Sequence, residues 1–282
     1  MDKSEALKKL QGIELEILLM LKDFCLQHDI AWFVDSGTAL GAARHKGFIP
    51  WDDDIDVGML RQDYDRFISL AKTELPEGYS LHDASNTPGY AAMFAKIYKD
   101  GTKFHTEETL EANCEQGIFI DIFPYDQLAK DLSRRRRQIR NARIWQSALY
   151  LYHARTIAVP HKGLLGTTER NACRIAHFLV SKFCKPESLR KRFEHSLLFE
   201  EDDPTTLYLS LPWPNVDGFK KHDLLPTNPA TFEGHRVPAP ARMETYLKTM
   251  YGNWQELPPE EDRHTHLPKY LDFGDGTNWS AE

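Results

Sequence analysis

Four aspartates, Asp52, Asp53, Asp54 and Asp56, crowd into five positions with only Ile55 between them. Carboxylates this close raise one another's pKa, and a bound cation is the simplest relief. In an extended segment Asp54 and Asp56 share one face, while Ile55 and Val57 bury the other, so the two acids point at one site. That buried apolar face argues against a solvated acidic loop or a calcium turn. Oxygen ligands with no cysteine nearby favour Mg²⁺ or Mn²⁺ over zinc. Upstream, Ser36, Gly37 and Thr38 precede a run of helix formers, where backbone N–H groups and the helix dipole attract phosphate, although the same residues also make an ordinary helix cap. Asp121, flanked by Ile120 and Ile122, is the natural third carboxylate, as metal ligand or as proton acceptor. A phosphate cradle beside paired acids is the equipment of metal-assisted phosphate chemistry. Arg44 and Lys96 are candidate phosphate contacts. Arg263 and His266 are read as nucleotide or phosphate contacts, because His264 and His266 find no third zinc ligand at a fitting spacing.

The elements that must position these residues can be read from periodicity. Leu7, Leu10, Ile13, Ile17, Leu18, Leu21, Phe24 and Cys25 recur at helical spacing, predicting an amphipathic helix from Ser4 to His28. Ile30 to Val34, the turn Asp35–Thr38 and Ala39–Arg44 predict strand, turn and helix. A strand through Asp54–Gly58, a helix over Asp63–Glu74, a strand over Ala91–Tyr98 carrying Lys96, and a strand over Gly117–Phe123 follow. Helical patterns then run to Tyr152 and from Thr168 to Phe183, the second with an apolar stripe of Ile175, Phe178, Leu179 and Phe183 expected to be used by the core. The Pro-rich C-terminal third reads as irregular apart from a helix at Met243–Tyr251. The organisation expected is a catalytic core over residues 1–130, a basic helical region over 131–200 and a C-terminal region over 201–282 that completes the site.

With 41% hydrophobic and 27% charged residues in 282, the chain is expected to be globular rather than disordered. The N-terminal apolar run from Ile17 to Leu21 is far shorter than the roughly 18 residues of a membrane span, so neither a signal peptide nor a transmembrane helix is expected. Cys25, Cys114, Cys173 and Cys184 lack the close spacing of zinc or redox motifs, which suits free thiols in a reducing cytoplasm. Net charge is −7, but the window from Arg134 to Lys185 holds 12 Lys and Arg against one acid, Glu169, leaving it at +11 and the flanks at −18. A basic window of this kind fits a polyanionic acceptor or anionic lipid head groups at the inner membrane face; nucleic acid is not expected as a partner.

The stretch Gly37-Thr38-Ala39-Leu40-Gly41-Ala42-Ala43-Arg44-His45-Lys46-Gly47-Phe48-Ile49-Pro50-Trp51, leading into Asp52-Asp53-Asp54-Ile55-Asp56-Val57-Gly58, closely resembles the LicD family signature. Phe119-Ile120-Asp121-Ile122-Phe123-Pro124, Tyr251-Gly252-Asn253-Trp254, Pro258-Pro259-Glu260-Glu261 and Arg263 continue the resemblance in order. It implies an α+β, nucleotidyltransferase-like fold related to fukutin-type enzymes, with a mixed sheet flanked by helices. It also implies transfer of phosphocholine or a related alcohol phosphate from a CDP-linked donor such as CDP-choline to teichoic acid or lipopolysaccharide sugars, with Asp54, Asp56 and Asp121 holding Mg²⁺. A nucleotidyltransferase attacking the α-phosphorus would use the same acids. A non-catalytic module binding cations and polyanions is the third reading. Trp51, Tyr90, Tyr98, Phe123, Tyr125 and Trp254 are candidates for an aromatic cage around a quaternary ammonium.

Overall fold

A computed structural model describes residues 1–154, 163–197, 205–265 and 267–281 of the chain. The first part runs α1 (Lys3–Gln27), β1 (Phe33–Val34), α2 (Ser36–Arg44), β2 (Asp56–Leu60), α3 (Arg61–Glu74), β3 (Tyr79–His82) and β4 (Ala95–Lys99). It continues through β5 (Lys103–His105), α4 (Glu107–Glu111) and β6 (Ile118–Gln127) into three helices, α5 (Leu132–His153), α6 (Gly163–Phe183) and α7 (Pro186–His195). The C-terminal part holds β7 (Leu207–Leu209), β8 (Phe219–Lys220), α8 (Lys221–Leu224), β9 (Asn228–Phe232), β10 (His235–Ala239), α9 (Met243–Tyr251), β11 (Tyr270–Asp272) and β12 (Asn278–Ser280).

The architecture is α+β, with a mixed sheet in the order β1-β2-β6-β4-β3 that β7 and β8 extend beyond one end of β6. The β2 and β6 strands are parallel, and the other pairs are antiparallel. Ile118, Ile120 and Ile122 are wholly buried, as befits a central strand covered on both faces. Pro124 interrupts this strand without harm, because the β4 pairing ends at Ile122 and the β7 pairing starts at Asp126, so its missing N–H is not needed. An Asp2–Glu5 capping box starts α1, which lays Leu10, Ile17, Leu18 and Leu21 against β6 and β4. A second apolar cluster joins Leu149, Leu189 and Phe193 of α5 and α7 to Leu128, Leu209 and Leu211.

Several sequence-based expectations change. The strand expected from Asp54 begins at Asp56; the chain is already extended at Ile55, whose carbonyl accepts from the Asp121 N–H at 2.8 Å. The strand expected from Ala91 begins at Ala95, because the Gln146 side chain of α5 takes the Met93 N–H (2.8 Å) and donates to the Ala91 carbonyl (3.0 Å), standing in for a partner strand. The C-terminal third is not irregular. Glu233 and Gly234 both adopt positive φ (47° and 77°) and close a β9–β10 hairpin, while β11 pairs with β5 on one side and with β12 on the other. The α6 stripe is not used by the core: Ile175, Phe178, Leu179 and Phe183 are 63, 58, 48 and 71% exposed.

Candidate active site

Strand register sets three charged side chains in one row. Asp56 is level with Asp121 across β2 and β6, and Asp121 is level with Lys96 across β6 and β4, so all three share one face of the sheet. Lys96 closes an ion pair to Asp121, Nζ to Oδ1 2.7 Å, and its ammonium lies 3.2 Å from the centre of the Phe119 ring. Asp54 precedes this row in the segment that leads into β2.

The N-terminus of α2 abuts the same row. Its cap, Asp35, donates its N–H to the Asp56 carbonyl (2.9 Å), and the Thr38 hydroxyl accepts from the Asp56 N–H (2.8 Å). The Asp35 carboxylate accepts from the Ser36 N–H (2.8 Å), the Tyr125 hydroxyl (2.7 Å) and the Tyr246 hydroxyl. Burial pushes its pKa up, and the two tyrosines pull it back. Ser36 is held at φ 43°, a costly conformation for a non-glycine residue. Gly37 leaves room for the Asp52 carboxylate: a Cβ there would stand 2.9 Å from Oδ2. Thr38 thus fixes the start of β2 through its hydroxyl.

Electrostatics marks the acids as a single unit. Burial first, then Asp54 and Asp53, push Asp52 up to about 8. Asp56 is raised well above the carboxylate range by burial, Asp54 and Asp121. Burial lifts Asp121 to about 6 even though Lys96 opposes it. Sequence reasoning missed Glu14. It occupies an apolar-stripe position of α1, four residues after Leu10 and three before Ile17, is 1% exposed, and its Oε2 has no hydrogen-bond partner. Burial raises its pKa well above normal, with Asp54, Asp53, Asp52 and Asp121 adding to the effect. An acid on the buried face of an amphipathic helix was the signal available. At the end of α9, desolvation of the Tyr251 hydroxyl, then Asp56, Asp35, Asp52 and Asp54, raise its pKa, although the residue as a whole is 41% exposed.

Among the described residues, no three His, Cys, Asp or Glu side chains converge as a ready-made metal cluster. The donor set nevertheless suits a hard divalent ion: oxygen ligands only, mutually repelling, with a buried carboxylate oxygen left without a partner beside them. Arg44 does not reach into the row freely. Its Nη1 donates to the Trp254 and Glu256 carbonyls, both at 3.2 Å, and ties the C-terminal segment to α2. Arg263 lies 5.2 Å above the Trp51 ring and donates to the Pro258 carbonyl (2.9 Å). His266 lies outside the described residues. A cavity of about 240 Å³ opens at Lys96, and a smaller one, about 20 Å³, opens at Ser36; Trp213 lines both.

Comparison with known proteins fits this geometry. Residues 29–173, just over half of the chain, match the family described as LicD/FKTN/FKRP, nucleotidyltransferase domain. The chain is 29% identical over 277 residues to the lipopolysaccharide cholinephosphotransferase LicD of Haemophilus influenzae, covering 94% of this chain and 97% of that protein. An uncharacterised protein of Rickettsia typhi is 34% identical over 87 residues, 30% of this chain and 25% of its own length. The matched span includes the whole acid row and the α2 cradle, and on that match the chain belongs to the LicD family of nucleotidyltransferase domains.

Proposed function

We propose that the chain is a divalent-cation-dependent phosphotransferase. It moves phosphocholine from CDP-choline, or a related alcohol phosphate from its CDP-linked form, to a hydroxyl of lipopolysaccharide or another cell-surface glycan such as teichoic acid, and releases CMP. The observation that carries this reading is the Asp56–Asp121–Lys96 row beside the α2 N-terminus, since phosphoryl transfer needs positioning and charge neutralisation more than covalent chemistry. The printed name of the Haemophilus influenzae relative supports the choice of alcohol and acceptor.

Asp54, Asp56 and Asp121 would hold Mg²⁺ or Mn²⁺, which when bound neutralises the diphosphate and stabilises the leaving CMP. The first turn of α2, with Ser36, Gly37 and Thr38, orients the nucleotide phosphate. Lys96 neutralises the transferred phosphoryl group from the far end of the row. The acceptor oxygen attacks the phosphorus distal to the nucleoside in line, and the bond from that phosphorus to CMP breaks. Where Asp121 is not a ligand of that ion, its pKa, raised to about 6, suits it to take the hydroxyl proton near neutral pH. Among the described residues no helix is long and apolar enough to cross a membrane. The acceptor side is assigned to the exposed, basic α6 face, which would meet a lipid-linked glycan at the inner surface of the cell membrane.

Incubation with CDP-choline labelled in the choline and in the nucleoside, with acceptor and Mg²⁺, tests the reading. Choline label on the acceptor with free CMP is the expected result. Nucleoside label on the acceptor would establish α-phosphorus attack instead.

A further inference from the structure

The cavity at Lys96 has walls unlike those of a phosphate site. The rings of Tyr90, Phe94, Tyr150 and Trp213 line it, and Glu108 is the acid among its described lining residues. Two of the polar groups around it are already engaged: the Tyr90 hydroxyl donates to the Phe94 carbonyl (2.9 Å), and the Gln146 amide spans Met93 N and Ala91 O. Glu108 and Tyr150 line this same cavity, and burial, then this carboxylate, raise the tyrosine hydroxyl. A primary ammonium carries three N–H donors that water satisfies better than walls built largely of rings, where Glu108 is the one carboxylate among the described lining residues. A trimethylammonium group has no such donors and spreads its charge over methyl groups that π faces and one carboxylate hold well.

We propose that this cavity is the head-group subsite for a quaternary ammonium alcohol phosphate, with the trimethylammonium between the Tyr150 and Trp213 rings near Glu108 and the phosphate at Lys96. The inference rests on the phosphotransferase reading for its orientation. Lys96, 2.7 Å from Asp121, joins the cavity to the acid row. Trp213 lines both this cavity and the one at Ser36, so a single extended donor could run from α2, over the acids, into the aromatic walls.

The test uses the full chain, titrated by calorimetry with phosphocholine, phosphoethanolamine, glycerol phosphate, CMP and CDP-choline. Phosphocholine should bind at least tenfold more tightly than the other two alcohol phosphates. Glu108→Gln and Tyr150→Leu should each weaken phosphocholine and CDP-choline roughly tenfold, about 1.4 kcal/mol, leaving CMP unchanged and the melting temperature within normal scatter. Absence of any preference for phosphocholine overturns the subsite, as does equal binding in both variants. Parallel loss of CMP affinity would show that the cavity takes the base, and also overturns it. Failure of choline transfer while phosphocholine binding keeps this pattern would strike the proposed reaction and leave the subsite standing.

Discussion

At Glu14 a carboxylate occupies a position that the α1 pattern reserves for an apolar side chain, with one oxygen unpartnered and four aspartates as its neighbours. Its folded pKa is raised, so the fold favours the protonated acid, whereas the unfolded chain ionises above the ordinary value of 4.5. Stability is therefore undiminished below that value and is lost progressively as pH rises above it. Glu14→Gln should match the wild type near pH 4 and exceed it in stability at pH 7–8 in chelator, by a margin that grows with pH. Urea unfolding across that range checks it; a gap that does not grow with pH would refute the assignment. Added Mn²⁺ should narrow the gap, because the ion relieves the same repulsion. Asp54→Asn and Asp56→Asn should abolish turnover with little change in fold, as should chelation, and near-normal activity in either variant would remove that residue from the cation site. Asp121→Asn should lower the rate strongly. Weaker Mn²⁺ binding would make Asp121 a ligand, while unchanged binding with loss of the acidic limb of the pH–rate profile would make it the base.

Elements meet at Asp35, where the α2 cap is held by one tyrosine from the sheet and one from α9. Tyr246 is wholly buried and donates to Asp35, so this hydroxyl couples the C-terminal helix to the N-terminus of α2. Tyr246→Phe leaves a buried carboxylate short of a donor, and it should lower stability by about 1–3 kcal/mol while reducing turnover through Ser36. Melting and kinetics measured beside Tyr125→Phe check the coupling; unchanged values in Tyr246→Phe would make the bond incidental. Helices with strong apolar periodicity, such as α1 and α3, were legible in the sequence, as was the alternation around Asp121. The row itself needed register: nothing in the order of residues says that Lys96, Asp121 and Asp56 come level, because strand pairing is non-local. The β9–β10 hairpin escaped because Glu233 adopts a left-handed conformation more typical of Asn or Gly. The start of β4 escaped because a glutamine side chain from α5 replaces the ladder.

At the scale of the whole molecule, charge and exposed apolar surface coincide on the helical region. The Arg134–Lys185 window is +11 in a chain of −7. On α6, Leu165, Ile175, Phe178, Leu179 and Phe183 are all at least 48% exposed, and the Lys182 ammonium lies 5.4 and 5.6 Å from the Phe178 and Phe183 ring centres. A helix with aromatic and aliphatic residues on its open face and long cationic side chains beside them suits the interface of an anionic bilayer, where the cations can reach head groups. The two contributions differ in their response to salt, since the Debye length falls from about 10 Å at 0.1 M to roughly 3 Å at 1 M, while apolar burial persists. Arg134, Arg136 and Arg137 are exposed, whereas Arg135 donates to the Ala129 carbonyl and belongs to the fold. Replacing those three with Gln should therefore weaken co-sedimentation with phosphatidylglycerol vesicles at 0.1 M salt and have little effect at 1 M. Phe178→Ser with Phe183→Ser should weaken it at both. Neither set should alter CMP affinity, since neither touches the acid row. Vesicle binding equal to wild type in all variants would take the membrane from this face, and a concentration-dependent dimer abolished by the two Phe substitutions would assign it to a second copy of the chain.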